Sequence, residues 1–248
     1  MQKFNEIKFN PEITKQVDNL YKTTPEYFNE LFGRKPNPNI SDQFADTWRM
    51  ANPQTPQEIT RFYNEQFCVT EELAQWHNRY PGRRRRALQA SSIAQQFGCK
   101  TFVSVGCGIG TDEFALKMTG LTEKYIGDIS YSNIDFINSR SAKIGIPMNV
   151  IDLNIFSKER ARKDFGEADL LFSCDMLEHL DRPDLYLKNW VEQFKVAVVY
   201  APFNIDDNQP QHTKYTSRQF HKFMAEIGFE KIKYNVIFPP YVYINKNI

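Results

Sequence analysis

Five short apolar runs, each followed by an amphipathic segment, place the strongest constraint on the fold of this chain. The runs are TFVSV (101–105), KYIGD (124–128), MNVID (148–152), DLLFSC (169–174) and VAVVYA (196–201). Their continuous apolar character and their β-branched and aromatic residues are typical of strands that are buried on both faces. Alternation of such strands with helices predicts a Rossmann-like, doubly wound α/β fold with a mostly parallel sheet.

The chain departs from this alternation at both ends. The C-terminal stretch EKIKYNVIF, Pro239-Pro240 and YVYINKNI predicts two strands joined by a turn, and hence a C-terminal antiparallel hairpin. Residues 1–80 instead contain polar, aromatic-rich stretches with helical spacing. We therefore predict a helical N-terminal cap over residues 1–80 and an α/β domain over residues 81–248.

The segments between the runs carry the start and stop signals of helices. Ser132 with Asp135, and Thr216 with Gln219, each match a capping box at the start of a helix. Gly228 stands where the second of these helices should end. The helices therefore have local signals of their own, independent of the strands.

Composition excludes several classes of protein. The 248 residues carry a formal net charge of +1, whereas general nucleic-acid binders have a strong basic excess. No run approaches the roughly 18 apolar residues of a membrane span, and MQKFNEIKFN lacks the apolar core of a signal peptide. The four cysteines are far apart, which favours reduced thiols over a zinc site. We expect a soluble, cytoplasmic protein.

A glycine-rich loop, VSVGCGIGTD (103–112), follows the first predicted strand. In a doubly wound fold the first strand-to-helix loop is the usual ligand cradle. Gly106, Gly108 and Gly110 would let a ligand lie against bare backbone. The spacing is G-x-G-x-G, with Thr111 in the sixth position, which disfavours a nicotinamide cofactor. No Lys-Ser or Lys-Thr pair follows, so a Walker-type phosphate loop is excluded.

Polar residues end the next three predicted strands. Asp128 follows the loop by about twenty residues, where an acid commonly accepts hydrogen bonds from ribose hydroxyls. A carboxylate suits that task because it accepts hydrogen bonds and donates none. Asp152 ends the third run, and Cys174-Asp175 ends the fourth. The aligned strand ends therefore indicate a ligand that contains a nucleoside.

Four motifs resemble, in order and spacing, those of class I S-adenosylmethionine-dependent methyltransferases. They are VSVGCGIGTD, YIGDIS, NVIDLN and ADLLFSCDMLEHL. The similarity is closest to the ubiquinone and menaquinone biosynthesis branch, with its LEH signature after the fourth strand, and it covers roughly residues 83–248. It implies an enzyme that uses S-adenosyl-L-methionine and releases S-adenosylhomocysteine. Ser104 departs from the family, in which an acidic residue is common at that position.

The resemblance also implies which residues contact the cofactor. Those near its methionine moiety and methyl-bearing sulfur are Gly106, Cys107, Gly108, Gly110, Cys174 and Asp175. Those near its ribose and adenine are Asp128, Ile129, Asp152 and Leu153. Within the second group, Asp128 would hold the ribose and Asp152 would contact the adenine amino group.

Two histidines are the candidates for acid–base chemistry, because imidazole is the readiest acid–base group near neutral pH. His212 lies in the loop after the fifth strand, which usually lines the acceptor pocket in this fold, and His179 follows Glu178 on the cofactor side. We predict both as catalytic residues. The alternative is that His179 bonds only to a loop backbone and that His212 is simply exposed. His77 and His221 are expected to be structural.

A metal site is not expected. Asp206-Asp207-Asn208, together with Asp175, is faintly similar to the magnesium ligands of catechol-type O-methyltransferases. In that family the acid–asparagine pair directly ends the strand, whereas here it comes several residues later. Such a polar cluster in a loop is usually a turn.

Four consecutive arginines, Arg83 to Arg86, occupy the first turn of a predicted helix. Cations at that position oppose the helix dipole. The default interpretation is a solvated face. The alternative is a nearby anion, which would be the cofactor's carboxylate, an anionic acceptor or a nucleic-acid phosphate.

The leading hypothesis is a methyltransferase that acts on a small-molecule acceptor, with an anionic acceptor as one option. A second hypothesis is an RNA or protein methyltransferase that holds a polymer with Arg83–Arg86, although the near-neutral charge counts against it. A nicotinamide-dependent oxidoreductase and a non-catalytic cofactor-binding subunit are the remaining alternatives. Binding of S-adenosylhomocysteine rather than a nicotinamide cofactor would discriminate between the first and third.

Overall fold

The computed structural model describes residues 8–155, 168–188, 191–203, 210–232 and 240–248. The strands in these ranges are β1 (Thr101–Val105), β2 (Thr122–Asp128), β3 (Val150–Asp152), β4 (Leu170–Cys174), β5 (Val196–Tyr200), β6 (Phe229–Ile232) and β7 (Tyr241–Asn245). They form one sheet with the order β3-β2-β1-β4-β5-β7-β6.

The sheet has the predicted mixture of strand directions. β1 to β5 are parallel, whereas β7 is antiparallel to both β5 and β6. The five apolar runs therefore become the parallel strands, and the mostly parallel sheet with a C-terminal antiparallel pair is confirmed. Residues 233–239, part of the predicted hairpin, lie outside the described residues.

Helices precede the sheet and cover it. They are α1 (Pro11–Lys22), α2 (Thr24–Phe32), α3 (Ile40–Ala51), α4 (Pro56–Glu65), α5 (Cys68–Arg79), α6 (Pro81–Gln96), α7 (Thr111–Met118), α8 (Tyr131–Ile144), α9 (Pro183–Leu187) and α10 (Ser217–Glu226). No helix within the described ranges combines the length and the apolar character that crossing a bilayer requires.

The helix caps agree with the sequence at one helix and differ at another. The capping box of Thr216 and Gln219 is present at the start of α10. At α8 the N-cap is Ser130, whose side chain accepts a hydrogen bond from the backbone N–H of Asn133, so the prediction of Ser132 as the cap is wrong. The carboxylate of Asp128 binds the backbone N–H of Ser130 at 2.9 Å, and the helix therefore begins earlier.

The hydrophobic core lies on both faces of the sheet, as strands buried on both faces require. Alternate residues of β1 show this division. Phe102 packs in a cluster with residues of α1, α6 and α7. Val103 and Val105 pack in a second cluster with residues of α9 and α10. The period of two along a strand accounts for the alternation.

The N-terminal helices share this core. Val17 and Tyr21 of α1 belong to the same cluster as the sheet. Arg140 of α8, which is fully buried, donates hydrogen bonds to the backbone carbonyl of Leu20 and to Oγ1 of Thr24. These contacts attach α1 and α2 to the α/β layers. The domain boundary near residue 80 stays a prediction.

Candidate cofactor and acceptor site

The glycine loop is folded tightly over the end of β2. Its three glycines, Gly106, Gly108 and Gly110, have φ values of +67°, +54° and +72°. The backbone N–H groups of Gly106 and Cys107 donate to the carbonyl of Gly127 at 2.8 and 3.0 Å. Residues with a Cβ rarely adopt such left-handed conformations. The backbone geometry therefore requires glycine here even before a ligand is considered.

Two side chains cover this loop. A Cβ on Gly106 would lie 2.0 Å from Cγ of Met176, which follows β4. A Cβ on Gly108 would lie 2.9 Å from Cδ1 of Leu73, which belongs to α5. The close approach that the sequence predicts for a ligand is thus made in this structure by Met176 and Leu73.

Asp128 connects the glycine loop to the start of α8. Its buried carboxylate accepts hydrogen bonds from the backbone N–H of Gly108 at 2.7 Å, from that of Ser130 and from the side chain of Asn133. Burial raises the pKa of Asp128 to about 6, although these hydrogen bonds act in the opposite direction. A fourth hydrogen bond, from the backbone of Ile129, also acts on this carboxylate, so a ribose hydroxyl would share an oxygen that already accepts a bond.

The ends of β2 and β3 bring the other predicted cofactor residues together. The register places Asp128 opposite Asp152. Asp152 accepts hydrogen bonds from the backbone and side-chain N–H groups of Asn154 at 2.8 and 2.7 Å. The side chain of Asn154 also donates to the backbone carbonyl of Ile129, and Leu153 is half-buried beside these groups. The sequence did not single out Asn154, which contacts the predicted cofactor residues Asp152 and Ile129.

A cavity of about 530 Å³ lies at this edge of the sheet. It is lined by residues of α4, including Asn64, and by Tyr131 at the start of α8. Asn64 and Asn154 exchange side-chain hydrogen bonds at 3.2 and 3.3 Å. The cap helix α4 therefore forms one wall beside the ends of β2 and β3.

A buried carboxyl group stands close to the position at which the sequence departs from the family. Ser104 donates a hydrogen bond of 2.6 Å to Oε1 of Glu113 in the first turn of α7. Burial, together with the neighbouring Asp112, raises the pKa of Glu113 to about 8. A buried carboxyl group of the following helix thus lies beside Ser104. The available sequence signal was the acidic first turn of that helix, which its dipole favours.

The arginine run is not a solvated face, and that expectation is wrong for Arg83 and Arg86. Arg83 is buried and donates to Asp112 at 3.2 Å and to Asp175. Arg86 donates to both carboxylate oxygens of Asp175, at 2.9 and 2.7 Å. Arg85, by contrast, is exposed. The reason is helical periodicity, because Arg83 lies on the face of α6 that buries Ala87.

The end of β4 is held in an unusual conformation beside these arginines. Asp175 has a φ of +52°, a left-handed conformation that is uncommon for residues with a side chain. Its backbone N–H donates to the carbonyl of Tyr200 at 2.7 Å. Burial raises the pKa of the neighbouring Cys174 thiol and of Cys107 in the glycine loop. Both cysteines are therefore neutral thiols.

The structure brings the two predicted catalytic histidines together. The ring centres of His179 and His212 are 5.1 Å apart. Nδ1 of His179 lies 3.4 Å from the backbone carbonyl of Gln211. Burial lowers the pKa of His179 to about 4, and burial beside Asp175 raises the pKa of Glu178. Both pKa shifts have the same main cause, because burial away from water disfavours the charged form of each group.

His212 also lines a groove of about 580 Å³ between α3 and the segment after β5. Three cationic side chains and one carboxylate line the same groove, namely Arg49, Arg182, Lys214 and Asp181. Arg49 and Arg182 form ion pairs with Asp46 and Asp184. His77 is instead buried in α5 beside Tyr21, and His221 of α10 contacts the hydroxyl of Tyr243.

The loop cluster that is faintly similar to magnesium ligands, Asp206, Asp207 and Asn208, lies outside the described residues.

Comparison with known proteins gives structural neighbours only. No family model matches the sequence, and no curated protein matches it. Magnesium protoporphyrin IX methyltransferase (ChlM) from Synechocystis PCC 6803, solved with bound SAH, has 13% identity and a TM-score of 0.50, over 84% of this chain and 98% of that one.

Two further neighbours are more distant. EvdMO1 has 14% identity and a TM-score of 0.48, over 66% of this chain and 41% of its own, so the chain spans less than half of that protein. The methyltransferase domain of a bacterial Hen1 has 15% identity and a TM-score of 0.44, over 65% of this chain and 98% of its own. Strand order, strand direction and the similarity to ChlM together show that this chain has the class I methyltransferase fold.

Proposed function

We propose that this protein is an S-adenosylmethionine-dependent methyltransferase that acts on a small-molecule acceptor. The observation that carries the proposal is the hydrogen bond from the backbone of Gly108 to the carboxylate of Asp128. It joins the two motifs that the resemblance assigns to the methionine and ribose parts of one cofactor. Within the methyltransferases, the Leu177-Glu178-His179 motif favours the ubiquinone and menaquinone branch.

The strand ends offer a continuous path for the cofactor. In the proposed arrangement, its methionine moiety lies over Gly106 and Gly108, with Cys107, Gly110 and Cys174 nearby. Met176 and Leu73, which cover these glycines, have flexible side chains that can turn away.

The nucleoside part lies at the ends of β2 and β3. Asp128 accepts from the ribose, Asp152 contacts the adenine amino group, and Ile129 and Leu153 pack against the ring. Asn64 and Asn154, which bond to each other, close this end of the site.

Arg83 and Arg86 are the proposed partners of the cofactor's carboxylate. They are the cations that reach Asp175 at the carboxyl end of β4. Arginine binds carboxylates through its planar, forked set of donors. A bound carboxylate would share these donors with Asp175, so the pairing seen here keeps the arginines in position.

Methyl transfer from a sulfonium requires in-line positioning and exclusion of water more than it requires a catalyst of the chemical step. The groove beside His212 would receive the acceptor. Its three cations outnumber the one carboxylate that lines it, Asp181, and this balance suits an acceptor that is anionic. His212 and His179 would then contact the acceptor group that loses a proton.

The inward arginines favour a small acceptor over a polymer. The RNA or protein hypothesis depends on Arg83–Arg86 as a binding surface, but Arg83 and Arg86 bind Asp112 and Asp175 inside the protein. Arg85 is the exposed residue of the four arginines, and a single exposed cation binds a chain of phosphates only weakly.

The pH dependence of S-adenosylhomocysteine binding tests the proposed role of Asp128. Ribose hydroxyls donate to the ionised carboxylate, and the pKa of Asp128 is raised to about 6. Affinity should therefore be nearly full at about pH 7, about half of that at pH 6 and about tenfold lower at pH 5. Asp128→Asn should bind about 1.5–3 kcal/mol more weakly at neutral pH and lose this pH dependence, as measured by titration calorimetry.

Asp135→Asn is the matched control, because Asp135 lies exposed on the adjacent helix α8. It should retain the native affinity and the native pH profile. Native affinity and an unchanged profile in folded Asp128→Asn would remove Asp128 from the ribose site.

A further inference from the structure

We propose that His77 of the cap helix α5 donates a hydrogen bond to the carboxylate of the cofactor's methionine moiety, beside Arg83 and Arg86. The ring of His77 is 1% exposed, and neither of its nitrogens has a hydrogen-bond partner among the residues that the structure describes. The inference rests on the proposed methyltransferase function and extends it. It also replaces the expectation from the sequence that His77 is structural.

The unsatisfied ring nitrogens of His77 are the first evidence for a ligand. A neutral imidazole has one hydrogen-bond donor and one acceptor, and a charged imidazole has two donors. Burying such groups without a hydrogen bond is costly, so folded proteins usually supply a protein partner or an ordered water. A buried imidazole without a protein partner in the described part of the chain therefore indicates a polar ligand.

A second unsatisfied nitrogen belongs to Arg83, which acts on His77. Burial, and after it the charges of three arginines, lower the pKa of His77 well below its usual value, so the ring is neutral. The three are Arg83, Arg140 and Arg86. Within the described residues, Nε of Arg83 is buried without a hydrogen-bond partner, although both terminal nitrogens of this side chain bind carboxylates. A ligand carboxylate would accept from this N–H and from the N–H of His77.

The balance of buried charge near His77 also favours an anion. Among the described residues, the carboxylates that pair with two of the three arginines are Asp112 and Asp175. Arg140, the third arginine, is buried and donates to a backbone carbonyl and to two threonine hydroxyls. Burial raises the pKa of Glu113 to about 8 and also raises that of Glu178, which favours their neutral forms. A ligand carboxylate would balance the excess of positive charge.

One face of α5 follows the proposed cofactor path from its ribose end. Thr70, Leu73 and His77 are spaced at i, i+3 and i+7, which places them on that face. At the ribose end, the hydroxyl of Thr70 donates to Oδ1 of Asn133 at 2.7 Å, and the amide of Asn133 binds the proposed ribose acceptor. One turn further along α5, Leu73 covers the glycine loop.

The same face brings His77 to the other end of that path. The ring centres of His77 and Tyr21 are 5.9 Å apart. The hydroxyl of Tyr21 donates to Asp112, which also pairs with Arg83. His77 is therefore adjacent to the ion pairs that hold the proposed partners of the cofactor's carboxylate.

Removing the carboxylate from the ligand and the imidazole from the protein tests this contact. The ligands are S-adenosylhomocysteine and S-adenosyl-3-thiopropylamine, which is the same molecule without its carboxylate. His77→Leu should bind S-adenosylhomocysteine roughly 10–100-fold more weakly, the effect of losing a hydrogen bond to a charged group. Its affinity for the decarboxylated ligand should change by less than about twofold, as for groups that do not interact. Titration calorimetry measures both.

His77→Gln and the stability of His77→Leu separate a ligand contact from a packing role. The glutamine amide still offers an N–H donor, so His77→Gln should retain most of the affinity that His77→Leu loses. Without ligand, His77→Leu should unfold at a urea concentration equal to or above that of the native protein, because it removes two unsatisfied polar atoms.

His221→Leu is the matched control. His221 is a half-buried histidine of α10 whose Nδ1 contacts the hydroxyl of Tyr243, and it lies outside the proposed site. This variant should bind both ligands with native affinity.

Native affinity for S-adenosylhomocysteine in His77→Leu would overturn the proposal, as would equal losses for the two ligands. A large loss of stability in ligand-free His77→Leu would assign His77 a structural role and would overturn it too. If the decarboxylated ligand binds the native protein too weakly to titrate, recovery of affinity in His77→Gln decides the test. Absence of S-adenosylhomocysteine binding to the native protein would instead contradict the methyltransferase proposal itself.

Discussion

Replacing Arg83 by methionine is expected to lower the free energy of unfolding by about 3 kcal/mol. Removal of one member of a buried ion pair typically costs about 3–5 kcal/mol, because the remaining charge is left without a partner. The lower end applies here because Arg86 still binds Asp175 and the hydroxyl of Tyr21 still donates to Asp112. Urea unfolding followed by circular dichroism measures the change.

Arg85→Met is the matched control, one position further along the same helix and exposed. Its effect should stay within about 0.5 kcal/mol, as for most surface substitutions. Adding Asp112→Asn to Arg83→Met should restore part of the lost stability, because it removes the charge left unpaired. Equal, small effects of Arg83→Met and Arg85→Met would mean that the buried pairing with Asp112 contributes nothing.

Gly108→Val is expected to abolish measurable binding of S-adenosylhomocysteine. Its side chain would start 2.9 Å from Cδ1 of Leu73 and would occupy the path proposed for the methionine moiety. It also forces valine into a left-handed conformation, at a cost of roughly 1–2 kcal/mol. Affinity is measured by titration calorimetry, and folding by circular dichroism.

Gly145→Val separates these two effects. Gly145 has a φ of +68°, and a Cβ there would meet nothing within 4 Å. This variant should suffer a similar backbone cost and bind S-adenosylhomocysteine with native affinity. Native affinity in folded Gly108→Val as well would show that no ligand passes over that glycine.

The strands and several helix ends could be predicted because their signals are local. Buried parallel strands are short apolar runs, and the Thr216–Gln219 capping box lies within four residues of sequence. The α8 cap was misplaced because a long-range feature decided it. Asp128, at the end of a strand, binds the backbone of Ser130 and starts the helix two residues before the predicted box.

The inward direction of Arg83 could have been found from the sequence. Arg83, Ala87 and Ala90 are spaced at i, i+4 and i+7, which places them on one helical face. The sequence alone does not identify the partners of Arg83. Asp112 and Asp175 come from α7 and from the end of β4, and only the fold brings them to Arg83.

The two histidines likewise combine a local sequence signal with a contact that only the fold creates. His212 was identified from its loop position and His179 from its place after Glu178 on the cofactor side. The parallel neighbours β4 and β5 bring the segments that follow them to one edge of the sheet. Leu73 over Gly108 had no signal, since the contact depends on how the cap helix α5 packs.

Direct calorimetric titration of the native protein with S-adenosylhomocysteine, and separately with NAD⁺, tests the central claim. The account predicts saturable binding of about one S-adenosylhomocysteine per chain and no binding of NAD⁺, because the loop has the spacing G-x-G-x-G. Saturable binding of NAD⁺ without binding of S-adenosylhomocysteine would contradict the assignment as a methyltransferase.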